Sequence, residues 1–157
     1  MYAPTFWTRV PYFPTRPEMY DKILERIPQD KDLKMIDLGC GMARLLCYLS
    51  ASRPRTTFVG VEISPLACLL GKLWIALHGC KNASAELRNF WNLSLADYDI
   101  VYAFLAPGPM PALWEKVQEE MKPGTLFITN TFRVEGEPTE VIVIDESHQN
   151  ALYLHKR

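Results

Sequence analysis

The sequence predicts an α/β protein with a doubly wound, mostly parallel seven-stranded sheet and a C-terminal antiparallel hairpin. Two observations carry this prediction. Apolar, β-branched runs alternate with stretches of helical periodicity along most of the chain. A glycine-containing turn follows the first apolar run directly. The 157 residues, 48% of them apolar, fit a single domain over residues 1–157.

Helices are predicted where apolar residues recur at helical spacing between capping and breaking residues. Thr15 and Glu18 have the spacing of a capping box, so a first helix is expected from there to Pro28. Leucines at 45, 46 and 49 mark a second helix. Ser64 followed by proline is typical of a third helix start, which runs to about residue 78. The fourth helix is predicted over residues 109–122, before a Pro-Gly stop.

Strands are predicted where short apolar or β-branched runs lie between turn residues. The run TTFVGVEI at residues 56–63 is apolar almost throughout, as expected of a strand buried on both faces. The predicted strands cover residues 33–38, 56–63, 85–90, 98–105, 125–132, 139–145 and 151–155. Residues 91–97 leave room for at most one helical turn between strands three and four.

The connection between strands five and six predicts the end of the sheet. Only residues 133–138 intervene, and a parallel crossover needs about ten or more residues. Strand six is therefore expected to run antiparallel to strand five, and strand seven to return parallel at the edge.

The glycine turn reads KMIDLGCGMARLL over residues 34–46, and two ligands compete for it. The dinucleotide pattern G-x-G-x-x-G would place Arg44 at its last glycine, where a long charged side chain fits poorly. The pattern of an acidic residue followed by x-G-x-G-x-G matches from Asp37, with Ala43 replacing only the third glycine. That second pattern is typical of S-adenosylmethionine (SAM) methyltransferases.

The acidic residues favour SAM over a dinucleotide. Asp37 can meet the ammonium of SAM, whereas it would repel a pyrophosphate. Glu62 ends the second strand, where a carboxylate can accept from ribose hydroxyls. Asn89 and Phe90 end the third strand, where an amide and an aromatic ring suit adenine. The candidate cofactor residues are Asp37, Leu38, Gly39, Cys40, Gly41, Glu62, Ile63, Asn89 and Phe90. An ordinary strand-to-helix turn without a ligand is the alternative.

Composition narrows the partners and the compartment. The net charge of −1 does not favour a nucleic-acid partner. No metal site is expected, because the four cysteines form no C-x-x-C pair and the three histidines stand apart. Cysteines in apolar or turn contexts indicate reduced thiols and a cytoplasmic location. No apolar run approaches the length of about 18 residues that a membrane span requires.

Three further stretches carry a family resemblance. They are PYFPT at residues 11–15, NFW at 89–91 with residues 93–99, and VYAFLAP at 101–107 leading to Met110. With the turn, they resemble the class I SAM-dependent protein-lysine methyltransferases that modify the adenine nucleotide translocase and the ATP synthase c-subunit, and their bacterial relatives. The resemblance covers about residues 10–145. It implies a Rossmann-like fold, SAM as cofactor and a protein lysine as acceptor. Met42 and Ala43 depart from the family's usual turn, and the membrane-embedding segment of its eukaryotic members is absent.

The resemblance also implies residues near the chemistry. Tyr12 and Thr15 resemble a family segment folded over the cofactor, so residues 1–16 are expected to form an extended segment that closes the site. After strand four, the loop at Pro107 has no side-chain acceptor, so backbone carbonyls would orient an amine, which suits a lysine-like substrate. Tyr102 and Phe104 are interpreted as strand packing. A small-molecule methyltransferase, or a SAM-binding protein without transferase activity, is the alternative function.

Overall fold

A computed structural model describes residues 14–145 and 150–157 of the chain. The helices are α1 (Pro17–Leu24), α2 (Arg44–Ser52), α3 (Pro65–Leu77) and α4 (Met110–Glu120), and a 3₁₀ turn covers Phe90–Asn92. The strands are β1 (Leu33–Leu38), β2 (Thr56–Glu62), β3 (Ala83–Leu87), β4 (Ile100–Ala103), β5 (Leu126–Asn130), β6 (Glu140–Val143) and β7 (Ala151–Lys156). Within this part of the chain, no helix is both long and apolar enough to cross a bilayer.

The seven strands form one sheet in the order β3-β2-β1-β4-β5-β7-β6. The first five strands run parallel to one another, and β7 pairs antiparallel with both β5 and β6. The predicted doubly wound sheet with a C-terminal hairpin is therefore confirmed. The strand order reverses between β1 and β4, and in such sheets ligands bind beyond the carboxyl ends of the strands at this point.

The predicted arrangement of the last two strands was wrong. Strand β7 lies between β5 and β6 and runs antiparallel to β5, while β6 forms the edge and runs in the same direction as β5. Two features make this possible. The strand β5 already ends at Asn130, which lengthens the connection. Glu140, the first residue of β6, and Ile128 of β5 both pair with Leu154 of β7, so β6 begins at the level of Ile128. The connection therefore has to run back along the sheet by only about two residues from the end of β5.

Of the two predicted helix caps, the one at Ser64 forms and the one at Thr15 does not. Ser64 caps α3, because its hydroxyl accepts a hydrogen bond from the amide of Ala67. The capping box predicted at Thr15 does not form. The N-cap of α1 is Arg16, without a side-chain hydrogen bond, and the Thr15 hydroxyl is bonded instead to Tyr102. A tertiary contact has therefore replaced the local one.

The core lies on both faces of the sheet. On one face α1 and α2 pack against the strands through residues such as Met19, Ile23, Leu46, Leu49 and Phe58. On the other face α4 and the 3₁₀ segment pack through residues such as Ile36, Phe90, Val101, Leu113 and Val117. Because helices cover both faces, the carboxyl edge of the parallel strands is where side chains from several strand ends can meet.

Candidate functional site

The glycine turn after β1 is held against the end of β2. The amides of Gly39 and Cys40 both donate to the carbonyl of Val61, at 2.8 and 3.0 Å. Gly39 has φ +82° and Gly41 has φ +54°, conformations that side chains disfavour. A Cβ on Gly39 would also come within 3.1 Å of the Leu105 side chain. The turn therefore exposes backbone where a ligand could approach closely.

Ala43 occupies the position of the missing third glycine, and it keeps the glycine conformation. Its φ is +57° and its ψ is +24°, and it serves as the N-cap of α2 without a side-chain hydrogen bond. Left-handed backbone costs a residue with a Cβ about 1–2 kcal/mol. The Ala43 methyl group is fully buried, which offsets part of this cost. Ala43 thus adopts the left-handed backbone that a glycine would adopt more easily.

The Glu62 carboxylate, predicted as a ribose ligand, is turned toward the glycine turn. One oxygen accepts from the amide of Gly41 at 2.9 Å. The other accepts from the amides of Ile63 and Ser64, at 2.8 and 2.9 Å. An oxygen can accept two such bonds, so the one bound to Gly41 keeps acceptor capacity for a ligand hydroxyl. Ile63 itself is 43% exposed beside this carboxylate.

Asp37, the predicted ammonium partner, is buried near the end of β1. Only 5% of it is exposed, and no described residue donates a hydrogen bond to its carboxyl group. Burial, together with the charge of Glu62, raises the pKa of Asp37 to about 8. A buried carboxyl group without a donor is costly unless a cation joins it. This residue therefore fits a positively charged ligand group.

A cleft brings Asp37 together with the turn and with the N-terminal segment. Its lining consists of Pro14, Thr15, Tyr20, Asp37, Gly39, Cys40, Arg44, Leu45, Tyr102 and Phe104. Of the two residues expected to close the site, Thr15 lines this cleft and Tyr12 lies outside the described residues. Arg44 is exposed, and its guanidinium lies 4.7 Å from the centre of the Trp74 ring, a cation–π distance.

Tyr102 is buried in the core, as its interpretation as strand packing predicts, and it also lines the cleft. Its hydroxyl is hydrogen-bonded to the Thr15 hydroxyl at 2.6 Å, and it accepts a hydrogen bond from the side-chain amide of Asn130 at 2.9 Å. The hydroxyl of Thr131, a residue with φ +66°, donates to the side-chain oxygen of Asn130. Burial, and next the charge of Asp37, raise the pKa of Tyr102. Tyr102 of β4 is the register partner of Asp37 of β1. In the sequence, the signal for a polar contact here was a hydroxyl group in an otherwise apolar strand.

The predicted adenine-binding residues lie after β3 and are used partly in folding. The Asn89 side-chain oxygen accepts from the amide of Trp91 at 3.0 Å and so caps the 3₁₀ turn. The Phe90 ring is only 6% exposed and belongs to the core on the α4 face of the sheet, 4.7 Å from the ring of Trp91. Contact of Asn89 and Phe90 with an adenine remains a prediction.

Of the remaining predicted site residues, two are buried near the glycine turn and one is exposed in the loop after β4. Leu38 and Cys40 are buried, and burial raises the pKa of the Cys40 thiol, so this cysteine is packing rather than a nucleophile. Pro107 is exposed in the loop after β4, and its carbonyl accepts from the amide of Met110 at the start of α4. Leu105 of the same loop lies against Gly39. The loop therefore borders the turn.

Two further glycines shape the turn and were not singled out in the sequence. A Cβ on Gly60, in the middle of β2, would lie 2.5 Å from the Cys40 sulfur. A Cβ on Gly71, within α3, would lie 3.0 Å from the Gly41 carbonyl oxygen. Both glycines allow the turn to approach closely. A glycine inside a strand or helix pattern is the signal that could have indicated such contacts.

The sheet order, the glycine turn after β1 and the acidic residue at the end of β2 agree with the Rossmann-like methyltransferase fold that the sequence predicts. The ANTKMT methyltransferase domain matches residues 37–140, and the chain therefore belongs to that family. The prediction that this protein is a methyltransferase is confirmed.

Curated relatives and solved structures agree with this assignment. The chain is 28% identical to a protein-lysine N-methyltransferase of Saccharolobus islandicus, over 93% of this chain and 92% of that protein. It is also 28% identical to the mouse adenine nucleotide translocase lysine N-methyltransferase, over 79% of this chain but only 54% of that protein. In structure it resembles an RNA methyltransferase of Salinibacter ruber crystallised with S-adenosyl-L-homocysteine. The TM-score is 0.83 at 19% identity, with 92% and 93% of the two chains covered, which indicates a shared fold.

Proposed function

We propose that this protein is a SAM-dependent N-methyltransferase that acts on the side-chain amine of lysine residues in proteins. The observation that carries the proposal is the buried Asp37 carboxyl group, which has no donor among the described residues and lies beside a turn of positive-φ residues. This arrangement in a member of a methyltransferase family suits a ligand that carries an ammonium group but no phosphate.

The residues present fit SAM. Asp37 would hold the amino group of the methionine portion, because a cation relieves its burial. Glu62 would accept from the ribose hydroxyls through the oxygen that has acceptor capacity left. The backbone of Gly39 and Gly41 would let the cofactor approach closely, and Asn89 would contact the base. Leu38, Cys40, Ile63 and Phe90 would surround these groups.

When bound, SAM supplies a methyl group on a sulfonium, which an amine nitrogen takes in an in-line displacement: the C–S bond breaks as the C–N bond forms. The task of the chain is to align the amine and exclude water. The cleft contains aromatic side chains, Tyr20, Tyr102 and Phe104. These rings would provide an apolar approach to the methyl group, which would lower the pKa of a lysine ammonium and favour loss of its proton before transfer.

The N-terminal residues and the loop after β4 would complete the site. Thr15 lines the cleft, and residues 1–16, including Tyr12, would close over the cofactor as an extended segment of the single domain. The exposed loop that contains Pro107 would present backbone carbonyls to the incoming amine. Closure by Tyr12 and Thr15 would keep water from the sulfonium.

A protein substrate is supported by two considerations. The Saccharolobus islandicus relative, which the chain matches along nearly its whole length, is named as acting on protein lysine. The net charge of −1 gives no electrostatic support for a nucleic-acid substrate.

Reduced, largely buried cysteines fit a cytoplasmic protein.

Transfer of a tritiated methyl group from SAM into a cell lysate tests the proposal. We expect label in protein that survives RNase, is lost on proteolysis, and elutes as methyl-lysine after acid hydrolysis. The Asp37→Asn variant should lose this labelling, whereas substitution of an exposed residue far from the cleft, such as Glu119→Gln, should keep it. Label in RNA or only in small molecules would refute the lysine assignment. Failure to bind SAM in calorimetry would refute the cofactor site itself.

A further inference from the structure

The outward face of α3 is apolar, although it faces solvent. Its exposed leucines are Leu66, Leu69, Leu70, Leu73 and Leu77, with exposed fractions of 67, 54, 38, 50 and 82%. Their spacing places them on one side of the helix. The opposite side is occupied by the buried Cys68 and Gly71. We call these five residues the α3 leucine face. A helix that is apolar on both sides requires a second apolar environment.

A further exposed leucine lies on the edge strand against which α3 packs. Leu87, at the end of β3, is 52% exposed, and β3 is an edge strand. It shares a face of β3 with Ala85, whose side chain belongs to the core on the α2 side of the sheet. Apolar patches of this kind mark interaction sites on proteins.

The charged side chains of residues 63–85, the segment that contains α3, have one sign. Between Glu62 and Glu86 the sequence has no acidic residue, while Lys72 and Lys81 are exposed there. The guanidinium of Arg44 lies over Trp74, the half-buried tryptophan that flanks the leucines. A second copy of this face would meet it with the same positive charges and no acid to pair with them. An anionic partner is complementary.

The shape of the face favours a fluid partner. All five leucines are at least 38% exposed along the length of α3, so the helix presents a convex surface rather than a groove. A helical peptide docks into a groove, whereas a lipid bilayer adapts to a convex surface. Lys72 on α3 and Lys81 shortly after it are exposed and would reach lipid phosphates at the membrane surface.

We infer that α3 binds the surface of an anionic phospholipid membrane, with the leucine face in the headgroup and acyl boundary and the lysines against lipid phosphates. The helix would lie in the membrane plane without crossing it. This inference does not depend on the reaction that the protein catalyses, and it needs no movement of the chain.

Vesicle sedimentation tests the inference. We expect the full chain to sediment with vesicles of phosphatidylcholine mixed with phosphatidylglycerol, at least about tenfold more strongly than with phosphatidylcholine alone, and less strongly as salt rises. The Leu69→Gln/Leu73→Gln variant should lose about tenfold or more in binding, because two buried side chains are removed from the membrane. Lys72→Glu/Lys81→Glu should weaken binding to the anionic vesicles and leave phosphatidylcholine binding nearly unchanged.

Val141→Gln/Val143→Gln is the matched control, since these valines are 46 and 50% exposed on β6 at the opposite edge of the sheet. Circular dichroism should remain that of the parent chain in all three variants, because the substituted positions are exposed. Equal sedimentation of the leucine and valine variants would overturn the inference. So would a dimer in analytical ultracentrifugation that the leucine substitutions dissociate, since the face would then bind a second copy.

Discussion

Glu62 at the end of β2 accepts a hydrogen bond from the amide of Gly41 at 2.9 Å, so a single carboxylate joins the second strand to the glycine turn. The same carboxylate binds the amides of Ile63 and Ser64 that lead into α3. The residue expected to hold a ribose therefore also orders the backbone around the cofactor. A substitution of Glu62 should therefore affect both the stability of the fold and the binding of the cofactor.

Glu62→Ala should weaken both binding and folding. It removes three acceptor contacts to backbone amides, each of the charge-assisted kind, so we expect a loss of about 1–3 kcal/mol in the free energy of unfolding. SAM affinity should fall at least about tenfold. Calorimetry and urea unfolding measure the two quantities. Glu86→Ala on the neighbouring strand is the control, because its exposed ion pair with Arg88 contributes at most about 1 kcal/mol. Unchanged affinity in Glu62→Ala would disprove the assignment.

The buried Asp37 predicts a pH dependence of stability without cofactor. Its pKa is raised by burial from 3.8 to about 8, so the folded protein binds more protons than the unfolded chain between these values. Stability must then fall as pH rises from about 4 to about 8. Each pKa unit corresponds to about 1.4 kcal/mol, and we expect a loss of at least that size relative to Asp37→Asn. Urea unfolding of both proteins at pH 5 and pH 8 gives the difference. An equal pH response in the two would contradict it.

The same titration should appear in cofactor binding. A ligand ammonium favours the ionised carboxyl group, so binding at pH 7 should release protons from Asp37. We expect SAM affinity to rise between pH 6 and 8 in the parent protein and to be weak in Asp37→Asn at every pH. Calorimetry in buffers of different ionisation enthalpy measures the proton release. Binding without proton release would argue that the ammonium lies elsewhere.

Gly60 should tolerate no side chain. A Cβ there would lie 2.5 Å from the Cys40 sulfur and 2.8 Å from a Leu46 methyl group. Overpacking of this kind costs about 1–3 kcal/mol, and it would push Cys40 and the turn away from β2. Gly60→Ala should therefore lose stability and SAM affinity together. Gly108→Ala is the control, because a Cβ at Gly108 meets nothing within 4 Å. A stable Gly60→Ala protein with normal affinity would show that the turn can shift freely.

The sequence predicts those parts of the fold that depend on local patterns. The apolar run at β1 and the Ser64 cap of α3 are local signals, and both agree with the structure. Asp37 and Glu62 could be assigned to one edge because parallel strands align their carboxyl ends. The order of β6 and β7 could not be derived in this way. It depends on which strand pairs with β5, and that is decided by long-range register rather than by the length of one connection.

The contacts that the sequence did not predict depend on how distant parts of the chain pack together. Gly60 and Gly71 are important because the turn packs against them, and a sequence does not reveal what lies opposite a glycine. Thr15 has the spacing of a helix cap, but a stronger partner, the buried hydroxyl of Tyr102, takes its side chain. Local propensity is overridden where a buried polar group needs a hydrogen bond.

Tyr102→Phe tests this last contact. Without the hydroxyl, the Asn130 amide loses its acceptor inside the protein and Thr15 loses its partner, so we expect a loss of about 1–3 kcal/mol in the free energy of unfolding. Because Thr15 belongs to the N-terminal segment proposed to close the site, kcat should fall more than SAM affinity. Tyr153→Phe on β7 is the matched control, and its stability should stay within about 0.5 kcal/mol of the parent.

A double-mutant cycle with Thr15→Val separates positioning from packing. If the two hydroxyls act together, the second substitution should add little to the first, with a coupling energy of about 0.5–3 kcal/mol. The same non-additivity should appear in kcat, since both variants release the same segment. Strictly additive effects on kcat would mean that Tyr102 stabilises the sheet but does not position Thr15 over the cleft.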